Sequence, residues 1–123
     1  MNRSILMIIS GIHGLLLGAL LFFLPAMALD SYGDYELNQL HFELSKHLGI
    51  ITIVLGLVLI IFRSSSNDQL VKVLLLTVGV MNVLGAVLDI ATINPQMAMD
   101  GYVVMGIQLV LGLAQCWFGW KIK

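Results

Sequence analysis

Five polar side chains stand inside long apolar runs, where a polar group is costly: His13, Thr52, Asn82, Asp89 and Gln108. An imidazole can carry or relay a proton near neutral pH. A carboxylate can hold a proton, a cation or an amine, and hydroxyl and amide groups can bond a ligand or one another. Ionisable groups at membrane depth face a partner or a cavity, which makes His13 and Asp89 the first residues to explain. Counting inward along each apolar run places His13, Thr52, Asn82 and Gln108 at similar depth, as one polar layer. The plainer reading of that layer is a neutral imidazole bonded to Asn82 or Gln108, locking helix register. Asp89 falls nearer a boundary, level with Lys46 and His47, either of which would form an ion pair with it. The alternative is that Asp89 faces a cavity and binds a proton, cation or amine.

The elements that must position these groups are apolar segments at residues 4–29, 48–62, 70–94 and 101–120. A bilayer core of ~30 Å needs about 20 helical residues to cross it. The 123-residue chain is 59% hydrophobic and 11% charged, with mean hydropathy +1.00, and such a surface cannot be hidden in a water-soluble fold of this size. The expected fold is all-α: one integral membrane domain over residues 1–123, a polytopic four-helix bundle. Residues 5–24 are too long for the apolar part of a secretory signal, so the A-x-A-like run at Ala26 and Ala28 is read as part of an uncleaved first helix. Between the first two spans, Leu37, Leu40, Leu44 and Leu48 recur against Glu36, Gln39, Glu43 and Lys46, the pattern of an amphipathic helix. This short outer helix is expected over residues 35–47, capped by Asp34 after a turn at Gly33, lying on the membrane surface or extending the second span. Asp68 is a candidate cap for the third span.

Basic residues orient the bundle. Arg3, Arg63, Lys72, Lys121 and Lys123 fall on one side when four spans alternate, and Lys46 alone on the other. Both termini are therefore expected in the cytoplasm of a multi-pass cell-membrane protein. Phe22, Phe23 and Tyr102 then fall near the outer boundary and Phe62, Trp117 and Trp120 near the inner one, where aromatic rings prefer to lie.

Several chemistries are excluded. Net charge is −1 with no basic run, which removes nucleic acid as a partner. The single cysteine, Cys116, permits no intrachain disulfide and no C-x-x-C site. Glu43 and His47 share a helical face, but His41 points away from both, so these three do not form a compact metal site. No cofactor loop, nucleophile elbow or Cys-His pair is present, and neither a cofactor nor enzymatic activity is expected.

Each span carries a stripe of small or polar residues, among them Ser10, Gly14 and Gly18; Gly49, Thr52 and Gly56; Gly79, Asn82 and Gly85; Gln108, Gly112, Gln115 and Gly119. Helices in lipid associate through such stripes. Leu17-Gly18-Ala19 also resembles Leu84-Gly85-Ala86, and Val54-Leu55-Gly56 resembles Val110-Leu111-Gly112, as two tandem hairpins would. The plan as a whole has four spans, a proline at the end of the first and an amphipathic segment before the second. In this it resembles the DoxX-like and related small four-helix proteins of bacterial membranes, at the level of architecture. It departs from the small multidrug transporters, whose hallmark is a glutamate in the first span. Two roles follow. One is an accessory or packing subunit of a membrane complex, or a homo-oligomer, whose partners are membrane lipid and other protein chains. The other is a protein that binds or transports a small ligand, proton or cation in a polar cavity around His13, Asn82, Asp89 and Gln108.

Overall fold

A computed structural model describes residues 2–30, 36, 38–91 and 99–122. These residues form five helices, α1 (Arg3–Phe23), α2 (Pro25–Asp30), α3 (Gln39–Phe62), α4 (Asp68–Ala91) and α5 (Met99–Lys121), and no strand. Four of them, α1, α3, α4 and α5, are long and apolar enough to cross a membrane. Their outward faces carry large apolar side chains, among them Leu16, Leu88 and Val110, each more than 60% exposed. In a soluble monomer so large an apolar exterior would drive aggregation; against lipid it is the expected surface.

Helix boundaries follow local chemistry. Asn2 caps α1 by accepting the Ser4 N–H at 3.1 Å. The first span breaks at Leu24, short of the expected residue 29, because the ring of Pro25 disfavours helical backbone in the residue before it. Leu24 still donates its N–H to the Leu20 carbonyl at 2.9 Å. Pro25 then opens α2 at the first helical position, where an N–H would have no partner within the helix. The short helix between the first two spans is thus α2, over residues 25–30.

The amphipathic segment and the second span are one continuous helix. With no proline or glycine before Gly49, nothing interrupts the turn pattern after Gln39. Asn38 closes the start of α3 reciprocally: its side chain accepts the His41 N–H at 3.2 Å and its own N–H donates to His41 Nδ1 at 3.1 Å, a capping box. The expected cap at Asp34, the turn at Gly33 and Leu37 lie outside the described residues, as do residues 92–94 of the third span and Lys123. At 24 residues, α3 is about 36 Å long, so one end projects beyond a ~30 Å hydrocarbon core. Leu40, Leu44 and Leu48 are all exposed. Asn67, rather than Asp68, caps α4, accepting the Leu70 N–H at 3.0 Å. Asp68 occupies the first turn instead, where a negative charge is favoured, and pairs with Arg3 across the bundle. At the same end of the molecule Lys121 lies over the Trp117 ring, 4.5 Å from its centroid.

The bundle consists of two antiparallel hairpins, α1 with α3 and α4 with α5, each closely packed along its length. Between hairpins the contacts are sparse. Glycine explains the close approach. A Cβ on Gly18 would meet the Gly49 carbonyl oxygen at 2.7 Å, and one on Gly56 would meet the Gly11 carbonyl oxygen at 2.7 Å. In the second hairpin, a Cβ on Gly112 would meet the Val83 N at 2.9 Å and one on Gly79 the Cys116 N at 2.9 Å. The repeat noted in the sequence is therefore matched in topology, and Gly56 and Gly112 play equivalent parts. Gly18 and Gly85 do not, since nothing lies within 4 Å of a Cβ built at Gly85. Toward the Arg3 end, the hairpins meet through a buried cluster of Leu6, Met7, Leu59, Val71, Leu75 and Val78.

These contacts predict opposite outcomes for glycine substitutions. Gly18→Ala forces backbone against backbone and costs ~1 to 3 kcal/mol, the range for overpacking. Gly106→Ala, at a site with nothing within 4 Å, stays within about 1 kcal/mol of the parent, the scale of helix propensity. Thermal unfolding of the two variants in one detergent checks the contrast.

Candidate functional site

The sparse packing between hairpins leaves a cavity of about 450 Å³, and His13, Thr52, Asn82, Asp89 and Gln108 all line it. Four spans contribute. His13 comes from α1, Thr52 from α3, Asn82 and Asp89 from α4, and Gln108 from α5. On α4, Asn82, Gly85 and Asp89 recur at helical spacing and turn one face to the space, with Gly85 adding no bulk. Most of the remaining wall is aliphatic, including Leu17, Leu20, Leu55 and Met81.

The polar groups are staggered along the cavity rather than gathered in one layer. Gly112 opposes Asn82 and Val83, and Gly79 opposes Cys116. Continuing that antiparallel register sets Gln108 level with Val87, within a turn of Asp89 and about 7 Å along the axis from Asn82. Counting from apolar boundaries misplaced Gln108 because α4 and α5 are offset by their glycine contacts, not aligned by their ends. Asp89 and Gln108 therefore lie toward one end of the cavity, with Val104 and Gly101 continuing the α5 wall beyond them. Ser10 and His13, one turn apart on α1, lie toward the other, where the buried cluster closes it.

Hydrogen bonding divides the set. Asn82 donates through Nδ2 to Gln115 Oε1 at 2.9 Å, so its partner is the fully buried amide of Gln115 rather than His13. Thr52 is satisfied on its own helix, donating to the Leu48 carbonyl at 2.8 Å. Three other lining residues each carry a polar atom that is buried without a partner among the described residues: Ser10 Oγ, His13 Nε2 and Gln108 Oε1. Unpaired buried polar atoms are uncommon and costly. Ser10 is itself only 5% exposed. It belongs to the sequence-level stripe but was not singled out as a candidate. The signal was its position one turn before His13 on the same face.

Asp89 is half-buried, and among the described residues no ion pair or hydrogen bond reaches it. Both residues expected to match it are engaged elsewhere: Lys46 Nζ lies 3.8 Å from Glu43 Oε1, and His47 Nδ1 lies 2.7 Å from the Glu43 carbonyl oxygen. Helical neighbours one turn away have taken the place of the cross-bundle partner. His41 is held in the α3 capping box, and no group of three or more His, Cys, Asp or Glu side chains among the described residues gathers as a metal site. A second polar link between helices joins α3 to α1, where the buried Ser45 hydroxyl donates to the Leu21 carbonyl at 3.0 Å.

Compared with protein-family models, curated proteins and solved structures, the chain matches none.

The Asn82–Gln115 bond predicts an asymmetry. Gln115 is 0% exposed and its Nε2 already lacks a partner, whereas Asn82 borders the cavity. Asn82→Leu leaves the whole Gln115 amide buried and unpaired, at ~1 to 3 kcal/mol. Gln115→Leu leaves Asn82 free to turn to the cavity and costs less, near the ~0.6 kcal/mol average for hydrogen bonds between membrane helices. Unfolding of both single variants and the double variant in detergent measures the difference.

Proposed function

We propose that this chain is a non-enzymatic multi-pass protein of the cell membrane, with both termini cytoplasmic, that binds a small amphipathic molecule between its two hairpins and serves its uptake or transfer. One observation carries this reading: Asp89, which no ion pair or hydrogen bond reaches among the described residues, shares the wall of a single, mainly aliphatic cavity with Ser10, His13 and Gln108. Its volume falls within the ~300 to 1,000 Å³ of small-molecule sites, which pair apolar walls with a few fixed polar groups. The orientation is supported by the placement of basic residues, which puts the Arg3–Asp68 end inside and the Asp89 end outside.

The accessory-subunit or homo-oligomer reading receives less support. It assigns the glycine stripes to contacts with other chains, yet Gly11, Gly18, Gly49, Gly56, Gly79 and Gly112 are used within the hairpins. The DoxX-like resemblance remains one of plan, four spans with a proline-terminated first helix, and is compatible with either role.

Gly85 supplies the test, because it lines the cavity and a Cβ built there meets nothing within 4 Å. Protein purified gently from its native membrane should carry a co-purifying small molecule detectable by mass spectrometry. Gly85→Leu should fold with the parent's stability and lose that molecule. Equal retention by both proteins would place the molecule elsewhere and remove the basis for the proposal.

A further inference from the structure

Resting on the cavity reading, we infer that the bound molecule is an aliphatic ammonium amphiphile, its cationic head held by Asp89 and Gln108 and its chain laid along the leucine wall toward His13. The shape of the space supplies the first argument. On α1 the lining runs from Ser10 to Leu21, on α3 from Leu48 to Leu59 and on α4 from Val78 to Asp89. Each stretch rises about 16 Å along its helix. The space is therefore elongated along the helices, as an extended hydrocarbon chain requires.

The walls supply the second argument. No Phe, Tyr or Trp occurs among the described lining residues, so a flat ring system would find no aromatic face to stack on. Leu17, Leu20, Leu55 and Met81 offer flexible aliphatic surface instead.

The head is specified by what its end of the slot lacks. Asp89 as a carboxylate only accepts hydrogen bonds, and the side-chain amide of Gln108, whose carbonyl oxygen can accept another, lines the cavity within a turn of it. Neither Lys46 nor His47 neutralises Asp89, and among the described residues no other cation forms an ion pair with it. Among the described lining residues there is no Lys or Arg. A ligand head that donates several hydrogen bonds and carries positive charge satisfies both groups at once; a carboxylate or phosphate head would meet only repulsion at Asp89.

The test uses the full chain in nanodiscs of zwitterionic lipid, which adds no net charge to attract cations. Decylammonium, 1-decanol and decanoate are titrated calorimetrically, and the signal of the Gly85→Leu protein is subtracted as the background of lipid partitioning. Decylammonium should bind the parent about tenfold or more tighter than the alcohol or the acid, the scale of a charge-assisted hydrogen bond. Asp89→Asn should abolish that preference while still binding decanol. Gln108→Leu, which keeps the acid, should reduce the preference without removing it; it also serves if Asp89→Asn does not fold. Equal affinity for the amine and the alcohol in the parent, or an undiminished amine preference in Asp89→Asn, would overturn the ammonium assignment and leave the cavity reading standing. If none of the three probes binds above the Gly85→Leu background, the cavity reading fails and this inference with it.

Discussion

Backbone contact at glycine is the constraint on which the rest of the molecule depends. In lipid, helices gain nothing by hiding leucines from the solvent, so association rests on close packing and on a few hydrogen bonds between helices. The hairpins α1–α3 and α4–α5 each bring main chain against main chain at Gly18 and Gly49, Gly11 and Gly56, or Gly112 and Val83. No comparable seam joins one hairpin to the other. They are held toward the Arg3 end by a leucine, methionine and valine cluster and by the Arg3–Asp68 pair. The unfilled space between them is the consequence. Glycine concentrated within each pair leaves larger side chains to meet between pairs, and those fill the space at one end only.

The polar residues acquire their meaning from that geometry. A histidine, an aspartate and a glutamine inside four spans would usually settle each other's hydrogen bonds across the bundle. Here the hairpin register diverts Asn82 to Gln115, and Glu43 engages Lys46 and His47. His13, Gln108, Ser10 and Asp89 are left facing the same space without partners among the described residues. The cost of leaving Ser10 Oγ, His13 Nε2 and Gln108 Oε1 buried without partners, ~1 to 3 kcal/mol each, is borne by a fold whose stability comes from elsewhere.

Much of this was legible from the residues. Four spans follow from apolar length alone, and the five candidate site residues share one cavity because helical periodicity puts each on the inward stripe of its span. Boundaries were less accessible. Asn38 and His41 form a capping box without the usual Glu or Gln at its third position, so the start of α3 was hidden, and the pattern alone left open whether the amphipathic segment lies on the surface or extends the second span. The break at Leu24 was signalled by Pro25, yet the apolar run continues through Leu29 and masked it. Pairing was least legible. Which polar group meets which depends on offsets of a few ångströms between helices, and those are set by glycine contacts that a single sequence does not align.

The central claim is that the hairpins enclose an accessible cavity, and the reactivity of a thiol at position 85 tests it most directly. Gly85→Cys is made in a Cys116→Ala background, which removes the chain's one native thiol, and reconstituted in lipid vesicles. The account predicts that a small methanethiosulfonate reagent modifies the folded protein readily while a bulky one reacts far more slowly. A thiol that resists the small reagent until the protein is denatured would show that the seam is packed, and would contradict the account.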